Sequence, residues 1–283
     1  MILIDFNQVM VSSVTSAWHK KHRFTEAEMM AIFLEKLRFY NKKFRDKYGK
    51  MVICCDDKNY WRRDIFPFYK AGRKIDRQTS NIDWPMIFQC MKKIKKDIQE
   101  KFPWPLIEVS RCEADDIISV LCDIGAASNE PIMIVSADQD MIQCHRYPGV
   151  KQFSPNKKKL ITEEIDYHLW HKIVRGDSGD GIPNILSDDD VFVNTDKKQV
   201  RISKAMIEKW QKKGFGSPEI IEKFRRNETI IDLSKIPENY VNEIRNEWIK
   251  NKSVYETRGS NEIMNYLINN DLTQFIPELG DFL

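Results

Sequence analysis

Two carboxylates one residue apart, Asp138 and Asp140, stand directly after a run of four apolar residues, Ile132–Val135. A short run rich in β-branched side chains reads as a strand buried on both faces. In an open α/β sheet, ligands gather beyond the carboxyl ends of strands, so this pair would stand at the mouth of a cleft. Two acids this close repel unless a cation or a proton lies between them. Taken alone, the pair reads equally well as a solvated Asp-Gln-Asp turn.

The arrangement recurs. Asp5 ends the run Ile2–Ile4, Asp56 ends Met51–Cys55, Glu113, Asp115 and Asp116 open an apolar helix, and Asp177 and Asp180 sit three apart in a Gly-rich turn. Acids in a first helical turn favour the macrodipole, which is a structural reason for the third group, but three in four residues exceed what a helix start needs. The nine acids form an oxygen-rich set suited to hard divalent cations, above all Mg²⁺ or Mn²⁺. Zinc would favour His or Cys; His168 and His171, one turn apart with no third ligand, read as ordinary helix residues. Two divalent ions about 4 Å apart can clamp a phosphodiester, activate a water and stabilise the leaving oxygen. That chemistry needs many carboxylates and no histidine base.

Charge points the same way. The 283 residues carry 45 Lys+Arg against 42 Asp+Glu, net +3, and setting nine clustered acids aside leaves about +12 on the rest. A basic surface around an acidic pocket suits a polyanionic substrate; mixed-sign solubility is the alternative. With 42% hydrophobic and 31% charged residues, the composition is that of a folded soluble protein. The start, Ile2-Leu3-Ile4, lacks the pattern of a signal peptide, and no apolar run reaches the length of a membrane span. The six cysteines have neither a C-x-x-C nor a zinc spacing. Reduced core thiols in a cytoplasmic protein, monomeric and without membrane contact, are expected.

These acids need a frame. Strands are expected at Ile2–Phe6, Met51–Cys55, Leu106–Val109 and the central run, with short edge strands at Lys151–Ser154 and Lys159–Ile161. Thr25-Glu26-Ala27-Glu28 is a capping box opening a helix with apolar positions at Met29, Phe33, Leu37 and Phe44. Trp84–Lys101 is a helix with a basic face (Lys92, Lys93, Lys95, Lys96), Met141–Cys144 a short one, and Thr162–Arg175 a further one stopped by Gly176. Strand–helix–strand units imply parallel strands with right-handed crossovers. The fold class is therefore α/β, a mostly parallel central sheet flanked by helices. The last hundred residues differ, with helices expected at Ser203–Lys213, Pro218–Asn227, Pro237–Asn251 and Glu262–Asn269. Domains are expected at 1–180 and 181–283. Within the first domain, Gly72–Asp83 is polar, basic and weakly periodic and reads as a mobile stretch.

The pieces Leu3-Ile4-Asp5-Phe6, Tyr60-Trp61-Arg62-Arg63-Asp64 with Tyr69-Lys70, Glu113-Ala114-Asp115-Asp116, Ser136-Ala137-Asp138-Gln139-Asp140 and Gly176-Asp177-Ser178-Gly179-Asp180 together resemble the flap-endonuclease / 5′-nuclease family, particularly its phage members. They cover about residues 1–185, and it is their joint order and spacing that is specific. The resemblance implies a PIN-like nuclease core, two metals held by the nine acids, and Asp115, Asp138 and Asp140 nearest the scissile phosphate. It implies a helical arch over about 60–83, with Arg62 and Lys70 as a basic pair that neutralises charge on the phosphate and Arg63 and Arg73 beside them on nucleic acid. Without the motif, Arg62 and Lys70 read as a solvated helix face, and Trp61 suits core packing as well as base stacking. The sequence departs from the cellular pattern where Gly181 replaces an Asn and Ser187-Asp188-Asp189-Asp190 runs in place of a Gly-rich hairpin. Ser203–Lys213, with Lys204, Lys209, Lys212 and Lys213, is the candidate substitute for gripping duplex phosphates, and reads equally well as a charged solvated helix.

The function implied is a Mg²⁺-dependent structure-specific 5′ nuclease, a 5′-3′ exonuclease, flap endonuclease and ribonuclease H acting on 5′ flaps, forks and RNA primers in RNA–DNA hybrids during replication. A sliding clamp or a single-strand-binding protein is the implied partner, the clamp through the tail Phe275–Leu283 unless that tail folds back. Two alternatives stay open: a PIN-type endoribonuclease on single-stranded RNA, and a non-catalytic branched-DNA-binding module. A phosphatase of the Asp-x-Asp type is excluded, because Asp5-Phe6-Asn7 lacks the second acid.

Overall fold

The computed structural model describes residues 1–18, 24–162, 165–256 and 258–283. Its strands are β1 (Ile2–Asp5), β2 (Met51–Cys55), β3 (Leu106–Glu108), β4 (Ile132–Val135), β5 (Val150–Ser154) and β6 (Lys159–Ile161). Its helices are α1 (Phe6–Trp18), α2 (Glu26–Tyr48), α3 (Arg62–Ile65), α4 (Gly72–Thr79), α5 (Trp84–Lys101), α6 (Ala114–Ala127), α7 (Ile165–Arg175), α8 (Lys204–Lys213), α9 (Pro218–Ile231), α10 (Glu238–Asn251) and α11 (Ser260–Asn269). The chain forms two compact units: Met1–Lys58 with Asn81–Thr162 and Glu238–Leu283, and Asn59–Ser80 with Glu163–Pro237. No described helix is long and apolar enough to cross a membrane.

The first unit is built on one six-stranded sheet in the order β3-β2-β1-β4-β5-β6. All neighbours are parallel except β6, which runs antiparallel to β5 at the edge. Side chains alternate between faces with period two. Ile2, Ile4, Met51 and Ile53 bury themselves on one face against α1, α2 and α5. The central strands are buried at every position, which is why they read as unbroken apolar runs. The capping box at α2 is present, with Thr25 and Glu28 exchanging bonds. All six cysteines are free and buried, as expected of reduced core thiols.

Several elements differ from expectation. The first strand stops at Asp5, and the chain enters α1 at once. The segment from Gly72, weakly periodic in sequence but placed in a helical arch by the resemblance, is the helix α4. β5 is an inner strand of the sheet, not an edge. The short helix expected at Met141–Cys144 is a 3₁₀ helix over Gln139–Arg146. The helix expected from Thr162 is described from Ile165, and residues 163 and 164 lie outside the described residues. The basic face of α5 is largely neutralised: Lys93 pairs with Glu26 at 2.5 Å and Lys95 with Glu108 at 2.6 Å.

The tail folds back onto the sheet's own unit. Phe282 is fully buried against Phe102, Trp104 and Phe275. Asp281 pairs with Arg38 at 2.7 Å and Lys42 at 3.0 Å, and the Asn41 amide donates to the Asp281 and Leu283 carbonyls.

The second unit is helical among the described residues. α7 packs on α9, and two apolar clusters hold it. Phe66, Tyr69, Ile173, Ile182, Ile230 and Ile231 form one; Val174, Ile185, Ile202, Ile207 and Trp210 form the other.

Candidate active site

Parallel pairing decides where the first acids emerge. Ile4 lies opposite Ile53 on one side and Val135 on the other. Asp5, Asp56 and the Ser136–Asp138 turn therefore leave three adjacent strands at the same edge, the carboxyl edge where such sheets bind ligands. α6 starts at this edge too, since the Ala114 N–H donates to Asp56 Oδ1 at 2.7 Å.

The hydrogen bonds show how each acid is held. Asp5 is buried; its Oδ1 accepts from the Gln8 N–H at 3.1 Å and its Oδ2 from Ser136 Oγ at 2.8 Å. It thus acts as the N-cap of α1. Asp56 Oδ2 accepts from Asn7 Nδ2 at 2.6 Å, and Asp138 Oδ1 accepts from the Asp140 N–H at 2.9 Å. Glu113 and Asp116, both buried, form the box that starts α6, with the Glu113 N–H donating to Asp116 Oδ2 at 2.9 Å. Asp115, in the same first turn, is half-buried and close enough to β2 to raise the Cys54 thiol pKa, after burial and Asp5.

These bonds to Asp5, Asp56 and Asp138 come from neutral groups, backbone N–H, amide and hydroxyl. The consequence is visible at Asp5. Burial, then the charge of Asp56 and more weakly that of Asp138, pushes its carboxyl up to about 7, against smaller opposing effects of Ser136 and Gln8. A site that makes a carboxylate this hard to ionise is one where a cation would be welcome. A set of oxygen donors at the mouth of a parallel sheet, acidic beyond its internal compensation, fits a hard divalent ion.

The acids of the second unit are placed differently. Gly176, with φ of 69°, and Gly181, with φ of 70°, bend the chain so that Asp177 and Ile182 bridge through two 2.8 Å backbone bonds. Lys172 pairs with Asp177 at 2.7 Å. Asp180 meets Arg73 at 2.5 Å, Lys70 at 3.6 Å and the Tyr69 hydroxyl at 3.0 Å. Burial pushes the Asp180 carboxyl up, but Lys70, Arg73, Lys172 and Tyr69 together bring it below its ordinary value. Lys70 has φ of 56°, a conformation that costs a non-glycine residue about 1 kcal/mol or more, and its N–H donates to the Asp180 carbonyl at 2.8 Å.

The expected basic pair divides. Lys70 faces the carboxylate of Asp180, whereas Arg62 is buried, lies over the Trp61 ring at 4.4 Å, and its Nε donates to the Ile230 carbonyl at 2.8 Å. Trp61 is likewise buried, so it packs inside the unit. Arg63 lies over the Tyr60 ring at 4.9 Å. Lys204 and Lys209 are exposed along α8. Asp188 and Asp190 pair with Lys197, and Asp189 with Arg226, which accounts for the acidic run after Ser187 as local ion pairing. His168 and His171 lie on α7.

Sequence reading passed over the neutral partners. Asn7, Gln8, Ser136 and Gln152 all touch the acids or the turn that carries them. Ser136 stands inside a motif already singled out, and Asn7 and Gln8 directly follow Asp5, so proximity was the available signal. Gln152, fourteen residues from Asp138, gave none.

Comparison with known proteins agrees with this geometry. Residues 1–169 match the family model described as 5′-3′ exonuclease, N-terminal resolvase-like domain. The chain is 28% identical to ribonuclease H of Enterobacteria phage T4 over 99% of its own length and 95% of that protein's. It is 27% identical to the flap endonuclease Xni of a Shewanella strain over 47% of the chain and 51% of that protein. Among solved structures, a flap endonuclease of bacteriophage T5 in complex with DNA and metal ions superposes with a TM-score of 0.66 at 12% identity, covering 90% of this chain and 98% of that one. The parallel sheet, the acids at its carboxyl edge and the matched residues have one common explanation: this chain belongs to the 5′-3′ exonuclease family.

Proposed function

We propose that this 5′ nuclease, a hydrolase of phosphodiester bonds, removes RNA primers and 5′ flaps during DNA replication in the cytoplasm of a host cell, working from the 5′ side and leaving 5′-phosphate and 3′-hydroxyl ends. One observation carries the reading. Asp5, Asp56 and Asp138 leave adjacent parallel strands at one edge, held by neutral donors, and Asp5 is pushed up to about 7. Such a set is built to receive positive charge.

Mg²⁺ is the ion proposed, two per site, with Mn²⁺ able to substitute; Asp5, Asp56, Asp138 and Asp140, with Glu113, Asp115 and Asp116 at the start of α6, would hold it. When bound, divalent ions of this kind supply an activated water and charge stabilisation at the leaving oxygen. The chain's own residues do the rest. Ser136 and the Gln8 N–H fix the Asp5 carboxylate, the Ala114 N–H and Asn7 fix Asp56, and the Asp140 N–H fixes Asp138. Each carboxylate is therefore presented in one orientation before substrate arrives, the arrangement that avoids reorganisation during the reaction. In the second unit, Lys70 and Arg73 would meet the backbone of a single-stranded 5′ end led along residues 60–83, and Lys204 and Lys209 the phosphates of a duplex. DNA and RNA–DNA hybrid are the substrates proposed, with a single-strand-binding protein or a sliding clamp as replication partner and a monomer as the acting form.

The test is a substrate panel with Mg²⁺ and with EDTA: a 5′-labelled RNA–DNA hybrid, a 5′ flap, a 3′ flap and unstructured RNA. Cleavage of the first two, lost with EDTA, is expected. Cleavage confined to unstructured RNA would favour the endoribonuclease, and flap binding without any Mg²⁺-dependent cleavage would leave only a branched-DNA-binding module.

A further inference from the structure

The turn that presents Asp138 is held from behind by a residue of another strand. Gln152 lies on β5, fully buried, in register with Ile134 of β4. Its Nε2 donates twice, to the Ser136 carbonyl at 3.0 Å and the Asp138 carbonyl at 2.7 Å. Both carbonyls lie past the last residue of β4, where its register with β5 ends. Buried carbonyls need a donor, and one amide –NH₂ supplies two.

Ser136 completes the bracket from the other side. Its Oγ donates to Asp5 Oδ2 at 2.8 Å and accepts from the Asp138 N–H at 3.1 Å. One hydroxyl thus links the β1 acid to the β4 turn, while Gln152 clamps the same turn by its carbonyls. The other end of the Gln152 amide carries no such bond. Its Oε1 and Nε2 of His145 are both buried without a hydrogen bond of normal geometry. Yet the His145 ring is near enough for the Gln152 amide to favour its charged form, although burial outweighs this and lowers the ring's pKa.

We propose that Gln152 is a positioning residue for the acidic site: by donating to both carbonyls of the Ser136–Asp138 turn, it fixes the direction in which the Asp138 carboxylate faces a divalent ion. The inference rests on the metal-binding reading above. Outer partners that orient metal-binding side chains commonly contribute about 10–100-fold in metal affinity. Donation is the active property, so the informative change is Gln152→Glu, which keeps the shape and replaces the –NH₂ by an oxygen facing two carbonyls. Gln152→Ala removes the group, and Gln152→Met keeps volume without any donor.

The experiment measures Mn²⁺ binding by titration calorimetry and by electron paramagnetic resonance, in the full-length protein without nucleic acid. Unfolding midpoints and 5′-flap cleavage as a function of Mn²⁺ are measured alongside. Phe153→Leu, on the same strand, serves as the packing control. Expected are a loss of about 10-fold or more in Mn²⁺ affinity for Gln152→Met and Gln152→Ala, a rise in the Mn²⁺ concentration needed for half-maximal cleavage, and unchanged metal affinity for Phe153→Leu. If Gln152→Glu does not fold, the Met and Ala variants carry the decision. Metal affinity at the wild-type level in all folded variants, with only the unfolding midpoint lowered, would overturn the proposal. Failure of the wild-type protein to bind Mn²⁺ at all would instead overturn the metal-binding reading, so the two failures are distinguishable.

Discussion

At the residue scale, the acids differ in what holds them, and that difference makes them testable one by one. Asp138→Asn keeps the shape of the turn and most of its hydrogen bonding while removing one negative charge. The expected outcome is loss of cleavage by at least about 10³-fold with binding to flap DNA within about two-fold of wild type, read by single-turnover kinetics and anisotropy; full activity would remove the metal assignment. Asp5 makes a different prediction, one of pH. Its carboxyl is raised from an ordinary 3.8 to about 7 by burial and by Asp56. The folded state therefore holds a proton that the unfolded chain has released between about pH 4 and pH 7. Stability from this group is fully present below the lower value and is lost as pH rises through the upper one. In metal-free protein, wild type should lose stability relative to Asp5→Asn across that window, measured by denaturant midpoints, and millimolar Mg²⁺ should narrow the gap at neutral pH. Parallel midpoint curves for the two proteins would refute the assigned environment of Asp5.

At the scale of elements, glycine placement carries a sharper prediction than any helix or strand. A Cβ on Gly176 would come within 2.2 Å of the Ile182 carbonyl oxygen and 2.5 Å of the Pro183 carbonyl carbon, and its φ of 69° is left-handed. The atoms met are backbone, so nothing can step aside cheaply. Gly176→Ala should cost about 3 kcal/mol or more in denaturant unfolding, against about 1 kcal/mol for a left-handed conformation alone. The same contrast explains what was legible in the sequence. β1, β2 and β4 were readable because a parallel strand buried on both faces must be apolar throughout, and the acids at their ends stood out against that background. α1 was not readable. It begins at the residue after β1 with no loop between, its cap is Asp5 itself, and its Ser and β-branched residues are poor helix formers. α4 offers a single apolar residue, Ile75, in eight, so no stripe announces it. Arg62 reads as a surface cation because its partner, the Ile230 carbonyl, lies 168 residues away. Gln152 stayed invisible for the same reason: a neutral side chain that serves two carbonyls has no spacing signature.

At the scale of the whole molecule, what matters is how apolar closure and charge are divided. The tail closes the sheet's own unit, since Phe282 is fully buried among Phe102, Trp104 and Phe275. In that state it offers neither Phe282 nor Phe275 to a partner. Phe282→Ala should therefore cost about 3–5 kcal/mol of stability, seen as a lowered unfolding midpoint, whereas a tail serving chiefly to dock on another protein would leave the midpoint unchanged. Charge is spent in three ways. On α5, Lys93 and Lys95 are consumed by Glu26 and Glu108. Around Asp177 and Asp180, three cations are committed to two acids. On α8, Lys204, Lys209, Lys212 and Lys213 are exposed, with the last two in its final turn, where they also meet the negative end of the helix dipole. On α8, Lys204 and Lys209 are thus the better candidates for contact with duplex phosphates. Each phosphate neutralised by the protein contributes about −0.9 to the slope of log affinity against log salt. The double variant Lys204→Ala, Lys209→Ala should weaken binding to duplex-bearing flaps independently of base sequence and make that slope shallower by nearly two, with the Mg²⁺ dependence of cleavage unaltered. An unchanged slope would mean that α8 is a solvated helix and that the duplex is gripped elsewhere, because a lost phosphate contact must release one counterion fewer.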